Sequence, residues 1–147
     1  MDIQDLTQAE QEKLKKSYFN LLALFLSEPT VSSQFARSFI KWTAQMQISP
    51  DDIVKLGKDL VELKYSAPET ESEKLEALFH LVYMIYLDRV IEDTELELAM
   101  AYAEKIGLRK TVVVNLFQSI ATADSDGISH EKLEREVLSF MKASKEV

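Results

Sequence analysis

The stretch that most constrains this chain runs from Leu75 to Leu87. Apolar side chains there fall on every face of a helix: Leu75, Leu78, Phe79, Leu81, Val82, Tyr83, Met84, Ile85, Tyr86 and Leu87. A helix that is apolar all round must be covered on most of its sides. It is too short to cross a bilayer, which takes about 20 apolar residues. The run therefore predicts an interior helix and demands further helices to cover it. Between Leu78 and Leu87 the one polar interruption is His80. We read it as a core residue whose ring nitrogens are satisfied. Tyr83 and Tyr86 require partners for their hydroxyls.

The rest of the composition agrees with an all-helical chain. Its 147 residues fit one domain and suffice for a sizeable core without staples. Only 3 glycines and 3 prolines are present, too few for a turn-rich β-sandwich. Cysteine is absent, which removes disulfides, thiolate metal sites and a cysteine nucleophile. The first residues lack the apolar core of a signal peptide. These features predict a cytoplasmic protein without membrane insertion.

Helix starts and stops can be placed along the chain. Thr7 and Glu10 form a T-x-x-E capping box, opening a helix to about Leu26 that Pro29 ends. Thr30 can cap a second helix, on which Val31, Phe35, Phe39, Trp42 and Met46 form an aromatic-rich stripe. Ser49-Pro50-Asp51-Asp52 restarts the chain with a cap, a proline at the first helical position and acids in the first turn. Ile53, Leu56, Leu60 and Leu63 line that third helix, with Gly57 inside it. SAPETESEK (66–74) is linker-like, and Glu71 or Ser72 begins the central helix. After the elbow DRVIEDTE (88–95), Leu96, Ala99, Met100, Ala103 and Ile106 point inward. Ile91 is expected to fold back onto the core, and Gly107 to close that helix. A helix from about Arg109 to Thr122 follows, although its Thr-Val-Val-Val start leans towards strand. Asp124-Ser125-Asp126-Gly127 reads as a turn. Ser129 caps a last helix carrying Leu133, Val137, Phe140 and Met141, with a tail that frays from about Ser144.

The expected fold is thus all-α. It is a single compact domain over residues 1–147, with about seven helices bundled around a buried central helix at about 71–88. Within it, an N-terminal helical half (about 6–65) and a C-terminal half (about 72–144) flank a loop at 66–71.

Charge is unevenly spread. Residues 66–104 hold ten acids against two bases, which is the whole net charge of −8. The field repels nucleic-acid phosphate and anionic lipid and attracts cations or a basic protein partner. Catalytic signals are poor. There is no G-x-S-x-G elbow, and His80 and His130 lie in different elements without triad spacing. Three scattered glycines cannot build a phosphate loop. DSDGISHE is not an EF-hand, because with Gly127 at the sixth position the first and twelfth fall on Thr122 and Leu133. The remaining constellation is the elbow, where Asp88, Glu92, Asp93 and Glu95 are candidate ligands of a hard divalent cation, Ca²⁺ or Mg²⁺. The competing reading makes them caps and dipole partners of the following helix.

The elbow pattern also carries a resemblance. An apolar helix ends in Asp88, Ile91 comes three residues later, Glu95 four after that, and the next helix ends in Lys105-Ile106-Gly107-Leu108. This resembles the TerB-like (tellurite resistance protein B) family, whose pattern is D-G-x-[IV]-x-x-x-E between two helices. Arg89 stands where the family has glycine. In the corresponding N-terminal stretch, Glu28 and Val31 match, but Phe35 stands where glutamate is expected. The resemblance covers about Leu75–Leu108. It implies an all-α accessory protein of chemical-stress response, not an enzyme, with Asp88 and Glu95 carrying any cation or partner role. We therefore expect a non-catalytic stress-response or interaction module, with a divalent cation as candidate ligand at the elbow. The alternative is an adaptor that binds a partner helix in a groove formed by Phe35, Phe39 and Trp42.

Overall fold

The computed structural model describes residues 3–27, 33–52 and 64–144, and every regular element among them is helical. The helices are α1 (Gln8–Ser27), α2 (Ser33–Gln45), α3 (Pro50–Asp52), α4 (Glu71–Tyr86), α5 (Asp93–Lys105), α6 (Lys110–Asp126) and α7 (His130–Ser144). The chain divides into two compact units, Asp2–Ser66 and Ala67–Val147. The loop expected at 66–71 falls at this division. Pro29, Thr30, Val31 and the expected core of the third helix (Ile53, Leu56, Gly57, Leu60 and Leu63) lie outside the described residues.

In the N-terminal unit the capping box holds α1 as the sequence demands. Glu10 Oε1 accepts from Thr7 N–H at 2.8 Å, and Glu10 N–H donates to Thr7 Oγ1 at 3.2 Å. The same device opens α3: Asp52 N–H donates to Ser49 Oγ, and Ser49 N–H donates to Asp52 Oδ2. Asp52 also pairs with Lys15 at 3.0 Å, tying α3 to α1. Burial works against ionisation of Asp52, but the Ser49 N–H, the Lys15 ammonium and the Ser49 hydroxyl outweigh it. Together they hold the carboxyl below its usual range. Aromatic edges join α1 to α2, with Phe25 against Phe35 and Phe39, and Tyr18 against Phe39. The Tyr18 hydroxyl shares a hydrogen with Thr43 Oγ1, while burial pushes it above its ordinary pKa.

In the C-terminal unit α4 packs against α5, α6 and α7, and α6 packs against α5 and α7. Leu75, Leu78, Phe79, Leu81, Val82, Met84 and Ile85 have no exposed surface. Thr70 starts α4 by accepting from Glu73 N–H at 3.1 Å. The Thr-Val-Val-Val segment is helical, with Val112, Val113, Leu116 and Ile120 buried.

Three helix ends share one geometry. After α2, α5 and α6, the residues Gln47, Gly107 and Gly127 take positive φ (51°, 87° and 71°). In each case the next residue's N–H reaches back to a carbonyl five positions earlier (Ile48 to Thr43, Leu108 to Ala103, Ile128 to Ala123). This Schellman closure satisfies carbonyls the helix leaves unpaired. At Gly127 it corrects the sequence reading: α6 runs on to Asp126 instead of ending near Thr122, because the glycine closes the helix itself. Two side chains also differ from expectation. Ile91 is 41% exposed and Phe140 68% exposed, so neither joins the core.

Candidate functional site

The elbow between α4 and α5 is built by two local devices. Asp88 Oδ1 accepts from Val90 N–H at 3.0 Å, turning the chain just after α4. Glu92 then caps α5 in a reciprocal box with Glu95, and Glu92 N–H donates to Glu95 Oε1 at 3.1 Å. Arg89 between them takes φ 59°, a left-handed conformation disfavoured for a side chain this large. Its guanidinium folds onto Asp124 at the end of α6, with Nε at 2.6 Å and Nη2 at 3.0 Å from the two carboxylate oxygens. The Tyr86 hydroxyl donates to the same carboxylate at 3.2 Å. The Arg89 guanidinium, helped by Tyr86, holds the Asp124 carboxyl below its usual range against the opposing effect of burial. Burial, with Asp124 beside it, pushes the Tyr86 hydroxyl up.

The four expected cation ligands do not act alike. Asp88, Glu92 and Asp93 are exposed, whereas Glu95 has no exposed surface. Among the described residues, the His/Asp/Glu set that brings three ligand atoms within 4.8 Å of one another is Glu76, His80 and Glu134. The elbow acids do not form such a set. The structure thus favours the capping reading of Glu92 and Glu95 over a chelating one: the side chains expected to face an ion face backbone N–H groups.

The aromatic stripe is interior as well. Trp42 has no exposed surface and packs edge-on against Phe39, which is itself buried. Phe35 is half-buried against Phe25. A groove anchored on Trp42 would need that ring at the surface, so the partner-helix reading loses its anchor.

The trio was not assembled by sequence reading. Glu76 and His80 stand four residues apart on α4, so they share a face. Glu134 comes from α7 and places Oε1 3.0 Å from His80 Nε2. His80 is 4% exposed, Glu134 8%, and Glu76 is half-buried. A short way along the same helices, the His130 ring stacks on Phe79 and tilts against Tyr83. The available signal was His80 itself, a titratable side chain inside an apolar run, with an acid one turn before it. Its counterpart lies 54 residues downstream and no local pattern points to it.

Comparison with protein-family models, with curated proteins and with solved structures gave no match. The likeness to the TerB-like family therefore rests on the residues of the elbow.

Proposed function

We infer that this chain is a non-catalytic, TerB-like interaction module of chemical-stress response, working in the cytoplasm through its acidic elbow. The observation that carries this reading is the surface composition of the elbow. Val90 and Ile91 are 56% and 41% exposed, and exposed acids Asp88, Glu92 and Asp93 flank them. An apolar pair inside an acidic rim suits a basic, amphipathic segment of a protein partner. The apolar pair supplies contact area and the rim supplies steering. Arg89, the one base of the elbow, is drawn aside onto Asp124, which leaves the rim acidic. The family resemblance finds support in the backbone: Arg89 holds a glycine-like φ at the position where the family pattern has glycine. No helix among the described residues is long and apolar enough to cross a membrane.

The test uses two synthetic helical peptides, one of lysine and leucine and one of lysine and serine, titrated by fluorescence anisotropy at low and high salt. The lysine–leucine peptide should bind, weaken with salt, and lose affinity to a Val90→Ser/Ile91→Ser variant. Equal binding of both peptides, or binding that this variant leaves unchanged, would remove the elbow as the docking surface.

A further inference from the structure

The trio between α4 and α7 is separate from the elbow and has chemistry of its own. We propose that Glu76, His80 and Glu134 form a binding site for a first-row transition-metal dication of the Zn²⁺ or Mn²⁺ class. This reading does not depend on the elbow's role.

Geometry comes first. Zn²⁺ holds nitrogen and carboxylate oxygen at about 2.0–2.2 Å, so two ligands of one ion are at most about 4.4 Å apart. The three ligand atoms already lie within 4.8 Å of one another, and His80 Nε2 and Glu134 Oε1 are 3.0 Å apart, a fit for neighbouring positions on one ion. The remaining tenths of an ångström lie within the torsional reach of a glutamate side chain. Two of the three ligands sit on one helix face and the third on a facing helix, so helix packing places them before any ion arrives.

The donor set then selects the ion. Two carboxylates and one imidazole suit Zn²⁺, Mn²⁺ and Fe²⁺. Calcium asks for six to eight oxygen ligands and magnesium for an octahedron rich in water, so neither uses the imidazole well. Softer ions favour thiolate or thioether ligands, and the trio offers neither.

Setting argues in the same direction. Leu75, Leu78, Phe79 and Leu81, the neighbours of Glu76 and His80 on α4, have no exposed surface. His80 and Glu134 are themselves buried, and burial lowers the local dielectric and strengthens ion–ligand attraction. A histidine paired with one glutamate would satisfy an ordinary buried hydrogen bond. Glu76 brings a second carboxylate to the same point, where like charges raise one another's energy unless a proton or cation lies between them. The gradient from buried His80 and Glu134 to half-buried Glu76 also gives the ion an access route from solvent. Three protein ligands leave further positions for water, and a bound ion would clamp α7 to α4.

Glu76→Gln is the decisive variant, because Glu76 is partly exposed and the His80–Glu134 hydrogen bond survives its loss. Metal-stripped protein is titrated with Zn²⁺, Mn²⁺ and Co²⁺ by calorimetry, with Co²⁺ also followed by its visible absorption and thermal unfolding recorded with and without each ion. The expected result is saturable 1:1 binding and a raised unfolding midpoint. Affinity should fall about tenfold or more in Glu76→Gln and Glu134→Gln and stay unchanged in Asp88→Asn/Asp93→Asn. No saturable binding of any of the three ions would overturn the proposal. So would binding that Glu76→Gln and Glu134→Gln leave intact, or a Co²⁺ spectrum lost only in the elbow variant.

Discussion

Glu95 offers the sharpest test of how the elbow works. Its side chain has no exposed surface, and its Oε1 accepts the Glu92 N–H at 3.1 Å, one half of a capping box. Glu95→Ala removes that acceptor. Loss of a helix cap costs about 0.5–2 kcal/mol. A buried N–H left without a partner costs about 1–3 kcal/mol where water cannot reach it. Glu92 is exposed, so water recovers part of the second loss. We expect about 2 kcal/mol in total, and less than half of that for Glu95→Gln, which keeps a carbonyl oxygen in place. The assay is urea unfolding followed by far-ultraviolet circular dichroism, run once with a chelator and once with millimolar Ca²⁺ or Mg²⁺. Capping predicts the same loss in both buffers. If the wild type gained stability from the cation and Glu95→Ala did not, the carboxylate would be a ligand and the capping argument would fail. A Glu95→Ala loss below about 0.5 kcal/mol would fail it too, because that is the range of an ordinary surface substitution.

Three further outcomes follow from the geometry. Asp124→Asn should destabilise the chain at neutral pH. The folded carboxyl is held below its unfolded pKa of about 3.9, so its contribution is fully present above that value and is lost as pH falls through the folded pKa; unfolding midpoints of the two proteins should converge on acidification, and a gap that widened there would contradict the Arg89 pairing. Gly127→Ala should cost about 1–2 kcal/mol from backbone strain alone, since its φ is +71° and an added Cβ would meet nothing within 4 Å; a neutral substitution in urea unfolding would mean that α6 does not close there. Trp42 should emit at short wavelength and resist acrylamide, having no exposed surface; a red-shifted, readily quenched emission would restore the aromatic groove.

Features set by neighbours three or four residues apart were legible in the sequence. The Thr7–Glu10 and Ser49–Asp52 boxes and the glycine closure at Gly107 all appear where residue type and spacing place them. Two local readings missed for local reasons. Thr70 lay inside a polar stretch read as linker, and Asp124-Ser125-Asp126 resembled a turn although its last glycine could close a longer helix. Capping was one of the two readings of the elbow acids, but the reciprocal Glu92–Glu95 box was not singled out, because glutamate is not among the favoured N-cap residues. The contacts that define candidate chemistry are of another kind. His80–Glu134 and Arg89–Asp124 join residues 54 and 35 positions apart. Periodicity states that α4 is buried and that α7 has an apolar face; it does not state the register in which the two meet, and that register decides which acid faces His80.

The same limit governs how the acidic stretch is understood. By sequence its ten acids form one field. In the structure they divide by partner. Glu73 serves the start of α4, Glu92 and Glu95 the start of α5, and Glu76 the trio; Glu71 and Glu104 lie 3.8 Å from Lys74 and Lys110, while Glu69, Asp93 and Glu97 are exposed. Asp88 serves the turn and still lies on the surface. Charge density therefore does not mark the ion site here. A cation needs convergence of a few ligands with a fixed separation, and in the most crowded run of acids Glu92 and Glu95 are spent on backbone N–H groups at a helix start. The carboxylate that does converge, Glu134, lies outside the acidic stretch and meets an imidazole that charge counting ignores.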